Sequence, residues 1–361
     1  MPRLVSMAVL ETYLAKLEGS DPSPAGRRFR HIAIVTPVFD DWACFTALLE
    51  EIAAEYGDTC VRFEVLAVDD GSAEPFDPSR LSLPGDSCIT RVQLLRLALN
   101  LGHQRAIAVG LCTVANRDDV DAIVVMDSDG EDRPADIAAL LAAAINQPDR
   151  VILAHRTRRC ESLLFRLCYR GYKTTFRALT GQRISFGNFS LLPMPAVRRL
   201  VHMPELWNNL AACVMRSRLK FKTVPIARGR RYYGTSRMNF VGLILHGLSA
   251  LSVHADTIFV RVLLGCGLIC AASLIGIMTI AVIRFATDFA IPGWASTMVG
   301  DLLIILMQTI VLVVAACLMM LAGRSARPII PIADAQQFIA RDRCRTVTAD
   351  GSPQAFSREY A

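Results

Sequence analysis

Two long apolar runs near the end of the chain constrain its fold more than any other feature. The first extends from Val262 to Ile283 and the second from Leu302 to Gly323. As helices, both have about the length that crosses a hydrocarbon core of roughly 30 Å. The 361-residue chain is also 53% hydrophobic, with a mean hydropathy of +0.37, which is high for a soluble enzyme. We expect a transmembrane hairpin, with two buried helices of a soluble core as the alternative.

Charged residues beside these runs predict the orientation of the hairpin. Arg324 and Arg327 follow the second run directly, whereas the connecting segment contains only Arg284 among its basic residues. Because Lys and Arg concentrate on the cytoplasmic side, we expect a multi-pass protein of the inner (cytoplasmic) membrane with both chain ends in the cytoplasm. Eleven scattered cysteines without a CxxC pair agree with a reduced compartment. We expect Arg261 to reach the head groups and Gln308 to bond across the hairpin.

Composition divides the chain into five segments. Residues 1–26 contain a short amphipathic helix, over Leu4–Leu17, and a linker, and residues 27–238 form a globular domain. Residues 258–323 hold the two spans, and residues 324–361 form a cytosolic tail. Residues 239–257 show apolar side chains at helical spacing. This pattern favours either a helix that lies in the membrane interface or one that packs on the globular domain.

Within residues 27–238, short apolar runs alternate with helical stretches, as in α/β proteins. The predicted strands are His31–Thr36, Phe63–Val68, Val92–Arg96, Asp121–Met126 and Val151–Ala154, and the predicted helices are Trp42–Tyr56, His103–Ala115 and Pro134–Ala144. We expect a doubly wound, mainly parallel sheet that binds its ligand at the carboxyl ends of its strands.

Two acidic clusters follow predicted strands at such carboxyl ends. One is Asp69-Asp70, and the other is Asp127-Ser128-Asp129. In an extended segment Asp127 and Asp129 point to the same side, so both can approach one ion. Mg²⁺ or Mn²⁺ bound there would let carboxylates and phosphate oxygens share a site. The alternative is that Asp129 and Asp132 cap the helix that begins at Pro134.

Four segments together resemble the polyprenyl-phosphate sugar synthases, a family that includes dolichyl-phosphate mannose synthase and bacterial undecaprenyl-phosphate sugar transferases. The segments are Thr36–Phe39, Asp69–Ser72, Asp127–Pro134 and Arg231–Arg237. The resemblance covers about residues 32–321. It implies a family-2 glycosyltransferase with the GT-A fold, a divalent Mg²⁺ or Mn²⁺ ion, and a UDP- or GDP-linked sugar as donor.

The resemblance also implies which residues bind the nucleotide sugar. They are Pro37, Phe39, Asp41, Val68, Asp70, Asp127, Ser128, Asp129, Glu131, Arg156, Arg231 and Arg237. Of these, Asp127 and Asp129 would hold the metal, and Asp70 would accept an N–H of the base. Arg231 and Arg237 would close over the diphosphate and act in catalysis with the two aspartates. Arg237 stands where Lys is usual in the family and adds a fork of donors.

This sequence departs from the family at a motif after the predicted basic helix. Many bacterial relatives have an acidic residue just before the Phe of a GDF-like motif and an Arg just after it. Here Asn188 and Ser190 flank Phe189, so a role for an acid does not transfer. Residues 192–209 also depart and would shape a different sugar pocket. His103 either contacts the donor or is a satisfied loop histidine.

The chemistry implied is direct displacement at the anomeric carbon, which inverts its configuration. The acceptor is a polyprenyl phosphate, a monoester whose second pKa near 6 makes it mostly dianionic at neutral pH. It therefore needs cations more than a base. Arg166, Arg170 and Lys173 lie at one-turn spacing on a predicted helix and are candidates for binding the acceptor phosphate. The alternative is a solvated or lipid-facing basic stripe.

Other functions remain open at this stage. A non-catalytic membrane scaffold that retains the GT-A fold is one, and a transferase acting on another lipid or a polysaccharide is another. The net charge of +6 fits either the positive-inside rule or contact with anionic head groups and phosphates. We expect the nucleotide sugar, the lipid phosphate and the membrane as partners, with homo-oligomers as an open alternative and no nucleic acid.

Overall fold

The computed structural model separates the chain into two compact units. The first unit comprises residues 1–168, 184–253 and 329–361, and the second comprises residues 169–183 and 254–328. The structure describes residues 29–57, 59–77, 87–145, 147–156, 171, 174–181, 187–234, 247–287, 293–340, 345–348 and 353–355. The predicted N-terminal helix and its linker lie outside these residues.

The described part of the first unit contains one mixed sheet of nine strands. They are β1 His31–Val38, β2 Arg62–Asp69, β3 Ile89–Arg96, β4 Ala122–Val125, β5 Val151–Arg156, β6 Ser190–Pro193, β7 Phe221–Ile226, β8 Arg345–Thr348 and β9 Pro353–Ala355. Their order across the sheet is β7-β5-β6-β4-β1-β2-β3-β8-β9. The pairs β1–β2, β1–β4, β2–β3 and β5–β7 are parallel, while β6, β8 and β9 pair antiparallel with their neighbours. The expected doubly wound, mainly parallel sheet is confirmed.

Helices cover both faces of the sheet. In the first unit they are α1 Trp42–Tyr56, α2 His103–Ala115, α3 Ile137–Ile145, α4 Met194–Leu200, α5 Leu210–Arg216 and, after the spans, α8 Pro331–Asp334. Strand side chains alternate between two buried clusters, so that Ile32 and Ile34 pack with α1 and α3, whereas Ala33 and Val35 pack with α2. Both faces are therefore sealed, which leaves the strand ends as the polar surfaces of the sheet.

The C-terminal segment joins the sheet rather than forming a free tail. After the spans the chain re-enters the first unit at Ile329. The backbone N–H of Ile332 donates to the carbonyl of Val201 at 3.0 Å, and β8 pairs with β3. Residues 345–348 and 353–355, which fall within the expected tail over 324–361, thus form the last two strands on one side of the sheet. The cytosolic location of the segment stays a prediction.

The second unit contains two helices long and apolar enough to cross a membrane. They are α6 Ala255–Ala286 and α7 Trp294–Ser325, each of 32 residues. Arg324 approaches Asp256 at 3.8 Å, so the end of α7 lies beside the start of α6 and the helices are antiparallel. At 1.5 Å per residue each helix is about 48 Å long, more than a hydrocarbon core requires.

Small and medium side chains form the contact between these two helices. On α6 the buried residues are Cys266, Ser273 and Ile280, spaced by seven, which is the period of a helix–helix seam. On α7 the buried residue is Thr309, while Gln308 faces away from the hairpin. The expectation that Gln308 bonds across the hairpin is therefore wrong, because the helix turn that brings Thr309 inward carries Gln308 outward.

Arg261, near the start of α6, caps the end of a neighbouring helical segment. Its guanidinium donates to the carbonyl of Ala178 at 2.5 Å, at the end of the helical residues 174–180. Carbonyls at a helix C-terminus lack partners within the helix and favour a cation. The neighbouring Phe176 ring packs edge-on against His254 at 5.9 Å. Together these contacts fix residues 174–180 to the start of α6.

The described part of the segment before the spans packs on the globular unit. Residues 247–252 are helical, Ala250 and Val253 are buried, and Arg216 donates to the carbonyl of Val253 at 3.1 Å. For these residues the structure favours packing on the domain over the interfacial helix. Residues 239–246 lie outside the described chain.

Candidate functional site

The candidate site lies where β1, β2 and β4 end, at the carboxyl edge of the sheet. Met126 is the last fully buried residue after β4, and the chain then turns through Asp127-Ser128-Asp129. The backbone N–H of Asp127 donates to Asp132 at 3.1 Å, so Asp132 holds the turn from within. The side chains of Asp127 and Asp129 are 25% and 19% exposed and can meet a ligand.

Both acids that could cap the following helix have partners within the turn. Arg133 is the N-terminal cap of the 3₁₀ turn Pro134–Asp136, and it makes no side-chain capping bond. Asp132 accepts from the N–H of Asp127 at 3.1 Å, and Asp129 accepts from the N–H of Glu131 at 3.0 Å. Both acids therefore help to shape the turn itself.

A second loop, residues 228–233 after β7, lies directly on the acidic turn. The N–H of Gly229 donates to the carbonyl of Glu131 at 2.8 Å, and the N–H of Tyr232 donates to the carbonyl of Asp129 at 2.9 Å. A Cβ atom on Gly229 would stand 2.3 Å from the carbonyl oxygen of Gly130, so glycine is required there. The Tyr232 ring packs directly against Gly130, whose φ is +88°. The two loops form one layer over the site.

Arg231 brings the charges of the site together. Its guanidinium donates to Asp129 Oδ2 at 2.9 Å and also to Asp41, which follows β1. Burial and then the charge of Asp127 raise the pKa of Asp129. Asp127 adds a second carboxylate beside Asp129, so a cation bound at this turn would be stabilised by both charges.

Comparison with known proteins relates part of this geometry to a family. Residues 33–195 match the family model described as glycosyl transferase family 2. The matched stretch is similar to a glycosyl transferase family 2 domain. It includes most of β1, the acidic turn and β6.

Several whole proteins are similar to this chain at low identity. The undecaprenyl-phosphate 4-deoxy-4-formamido-L-arabinose transferase of Enterobacter sp. (strain 638) is 25% identical over 218 residues, covering 59% of this chain and 64% of the relative. The uncharacterized glycosyltransferase YkcC of Bacillus subtilis (strain 168) is 24% identical over 286 residues, covering 76% and 84%. The chain spans slightly less than two thirds of the first of these relatives.

Among solved structures, glucosyl-3-phosphoglycerate synthase of Mycobacterium tuberculosis in complex with UDP is similar to this chain with a TM-score of 0.46 and 14% identity. The match covers 68% of this chain and 84% of that protein.

His103 also belongs to the candidate site at the acidic turn. It is the first residue of α2, and its Nε2 lies 3.2 Å from Asp127 Oδ1 and 3.0 Å from Asn188 Nδ2. Burial alone would lower the pKa of His103, but Asp127, with Asp132 and Asp70, outweighs it and raises the pKa above its usual value. The position of His103 after the third strand was the available signal in the sequence, whereas nothing in the local pattern indicated contact with Asn188.

Asp70 is held by backbone amides rather than by a basic side chain. Its two oxygens accept from the N–H groups of Leu101 and Gly102 at 2.7 and 3.0 Å, and the residue is 3% exposed. Burial raises the pKa of Asp70 to about 6, while these two hydrogen bonds partly oppose the rise. Contact of Asp70 with a nucleotide base stays a prediction; its observed partners are in the β3–α2 loop.

The other predicted nucleotide-binding residues have different surroundings. Phe39 is 40% exposed beside the site, while Pro37 is buried and Ser128 donates to its carbonyl at 3.3 Å. The Val68 side chain is fully buried in the core beneath α2, so this residue could offer a ligand only its backbone. Glu131 pairs with Arg228.

The remaining predicted site residues are Arg156, Arg237 and the three candidates for the acceptor phosphate. Arg156 ends β5, whose direction places it at the same edge as Asp127. Arg237 and the acceptor candidates Arg166, Arg170 and Lys173 lie outside the described residues, so those expectations stay predictions.

The residues of the acidic turn fit a divalent ion. Asp127 and Asp129 offer partly exposed carboxylate oxygens, the donor type that Mg²⁺ and Mn²⁺ take with phosphate oxygens. In the described chain, the His/Asp/Glu group with ligand atoms within 4.8 Å is instead His31, Glu64 and Asp119. We do not assign a metal to that group, because Arg117 binds both oxygens of Glu64 at 2.5 and 2.7 Å.

Proposed function

We propose that this protein transfers a sugar from a nucleotide sugar to a polyprenyl phosphate at the cytosolic face of the membrane, with inversion at the anomeric carbon. The observation that carries the proposal is the meeting of Asp127, Asp129 and Arg231 at the carboxyl edge of a glycosyltransferase sheet. The same chain contains two membrane-length helices. Relatives named undecaprenyl-phosphate sugar transferases support the same acceptor.

The donor site requires management of negative charge. Asp127 and Asp129 would hold Mg²⁺ or Mn²⁺, which supplies charge neutralisation to a leaving nucleoside diphosphate. Arg231 lies beside Asp129 and can donate to the diphosphate through its planar fork of N–H groups. Gly229 and Tyr232 fix the loop that carries Arg231, so its guanidinium is placed before the donor arrives.

The acceptor side requires cations rather than a general base. A lipid phosphate monoester is mostly dianionic at neutral pH, so its oxygen is already a nucleophile. This explains why a neutral Asn188 is compatible with the chemistry. We propose that Arg166, Arg170 and Lys173 bind the acceptor phosphate and that Arg237 assists Arg231.

The test uses membranes that contain the full-length protein, supplied with undecaprenyl phosphate and a panel of radiolabelled UDP- and GDP-sugars. We expect one sugar to label the extracted lipid, and Asp127→Asn or Asp129→Asn to reduce that labelling by on the order of 10²-fold or more. Asp118→Asn is the matched control, because the Asp118 side chain is 90% exposed and pairs with Arg198 away from the site. The anomeric configuration of the product tests inversion.

The other outcomes separate the competing functions. Label in a different lipid or in a polymer would indicate a transferase with another acceptor. Absence of label with every sugar, while the purified protein fails to bind Mn²⁺ or nucleotides, would indicate a scaffold. Full labelling by both aspartate variants would refute the metal role.

A further inference from the structure

The loop after β1 and the loop after β2 are joined by a reciprocal pair of hydrogen bonds. The backbone N–H of Asp40 donates to the hydroxyl of Ser72 at 2.8 Å. In the other direction, the backbone N–H of Ala73 donates to Asp40 Oδ1, also at 2.8 Å. We call this pair of contacts the Asp40–Ser72 clasp.

The β2 side of the clasp is held by its own partners. Ser72 is 1% exposed, its backbone N–H donates to Asp69 Oδ1 at 2.8 Å, and its carbonyl accepts from Arg96 Nη2 at 2.7 Å. Arg96 ends β3, and its Nε lies 3.5 Å from Asp69 Oδ2. The ends of β2 and β3 therefore fix the hydroxyl to which Asp40 is bonded.

The β1 side of the clasp has an uncommon backbone conformation. Among the non-glycine residues that the structure describes, Asp40 and Arg218 have positive φ, of +47° and +59°. L-residues meet a steric penalty there, which Asp and Asn tolerate best because their short side chains can bond to the local backbone. The Asp40 carboxylate makes such a bond with the N–H of Ala73. The clasp thus stabilises a turn that most other residues would disfavour.

This turn lies between two predicted nucleotide-binding residues. Asp40 is preceded by Phe39, which is 40% exposed beside the site, and is followed by Asp41. An aspartate at the N-terminal cap of a helix commonly accepts from a backbone N–H of the first turn. Asp41 is the cap of α1 but makes no such side-chain bond, and its carboxylate accepts from Arg231 instead. The turn at Asp40 therefore places both of its neighbours at the edge of the site.

We propose that Asp40 is a positioning residue of the nucleotide site, because the Asp40–Ser72 clasp holds Phe39 and Asp41 in their binding geometry before a nucleotide arrives. This inference rests on the donor site of the proposed function. A loop that is already ordered loses less conformational entropy on binding, so loss of the clasp weakens nucleotide binding. The role requires an acceptor oxygen and tolerance of positive φ, and it does not require a negative charge.

Three substitutions of Asp40 separate these requirements. Asp40→Ala removes the acceptor and disfavours positive φ, Asp40→Gly removes the acceptor but keeps access to positive φ, and Asp40→Asn keeps both. Calorimetry measures the binding of UDP and of GDP, each with Mn²⁺, to the full-length protein in detergent. We expect the dissociation constant of the nucleotide that the wild type binds to rise at least about tenfold in Asp40→Ala and Asp40→Gly, as for the loss of one hydrogen bond to a charged group. Asp40→Asn should remain within about threefold of the wild type, because it loses only the charge of the acceptor.

Arg218→Ala is the matched control, because it places alanine at the other positive φ, in an exposed turn between α5 and β7. We expect a lower melting temperature in this variant, as in Asp40→Ala, but an unchanged nucleotide affinity. Ser72→Ala removes the other acceptor of the clasp and leaves Asp40 intact. It should weaken nucleotide binding as Asp40→Gly does, and it provides the test if Asp40→Ala does not fold.

The remaining outcomes separate this proposal from the proposed function. Wild-type affinity in folded Asp40→Gly and Ser72→Ala would overturn the proposal and leave the donor site standing. A loss in Asp40→Asn as large as that in Asp40→Gly would mean that Asp40 acts through its charge, and an equal loss in Arg218→Ala would mean that the effect is one of general stability; either result overturns the proposal. If the wild type binds neither nucleotide, the donor site of the proposed function is refuted, and the positioning role of the clasp with it.

Discussion

Charged side chains cluster at both ends of the strands of the sheet, which we call the amino edge and the carboxyl edge. The central pair is buried at the amino edge, whereas the acids that face the site are partly exposed at the carboxyl edge. At the amino edge Glu64 is 2% exposed, and Arg117 binds both of its oxygens at 2.5 and 2.7 Å. Arg117 also binds Asp119, and Arg91 approaches Glu64 at 3.7 Å. At the carboxyl edge Asp127 and Asp129 remain partly exposed, and Arg231 is shared between Asp129 and Asp41.

The difference shows what separates a structural charge cluster from a site. A buried carboxylate is tolerated when a rigid bidentate arginine replaces its water, as at Glu64. At the carboxyl edge the acids meet one shared arginine, backbone amides and a histidine, and they can still be reached from solvent. The amino edge is therefore expected to govern stability, and the carboxyl edge ligand binding.

Removing the arginine of the amino edge gives the largest expected effect on stability. Arg117→Leu leaves Glu64 buried without its bidentate partner, which typically costs about 3–5 kcal/mol. We expect a clear fall in the melting temperature of the detergent-solubilised protein, with nucleotide affinity unchanged at temperatures where the variant is folded. Arg62→Leu, which removes an exposed arginine at the start of the strand that carries Glu64, is the control and should have little effect. A loss of nucleotide binding by folded Arg117→Leu would break the division between the two edges.

The parts of the fold that were predicted are those with strong local patterns. Helix Trp42–Tyr56 has the predicted bounds, and the strands around Ile34, Val65 and Val124 read as continuous apolar runs because both faces of the sheet are covered. Strand β7 escaped prediction because its exposed residues, including Lys222 and Pro225, give no such run. Strand β8 follows the spans, and its pairing with β3 and β9, which no local pattern indicates, defines it.

The site divides in the same way. The acidic turn and Arg231 were found because each is a compact motif after a strand. Contact between His103 and Asn188 joins residues 85 positions apart, and no spacing rule connects them. This contact depends on tertiary structure, which a local reading of the sequence does not contain.

The pH dependence of stability tests whether a buried acid at the carboxyl edge differs from Glu64. Asp70 ionises near the ordinary aspartate pKa of 3.8 when unfolded, and at about 6 when folded. Its contribution to stability is therefore complete below pH 3.8 and is lost as the pH rises through 6. The pKa difference corresponds to about 2 to 3 kcal/mol. We expect the melting temperature of the wild type, relative to that of Asp70→Asn, to fall as the pH rises from about 4 to about 6.5. If the difference between the two melting temperatures does not change with pH, the backbone amides stabilise this carboxylate as well as an arginine would.

The smallest effect concerns Arg231, and it separates a built-in counterion from one that a ligand can replace. Any cation that binds Asp129 competes with the guanidinium 2.9 Å away, but a diphosphate gains from the same group. We expect Arg231→Gln to bind Mn²⁺ alone about tenfold more tightly, or about 1.4 kcal/mol, and to bind a nucleoside diphosphate with Mn²⁺ more weakly. Arg228→Gln is the matched control, since Arg228 lies on the same loop but pairs with Glu131. If Arg231→Gln changes the affinity for Mn²⁺ alone and the affinity for the diphosphate with Mn²⁺ in the same direction, Arg231 serves the fold, as Arg117 does. Opposite changes are expected only if the guanidinium pairs with Asp129 in the free protein and with the diphosphate in the complex.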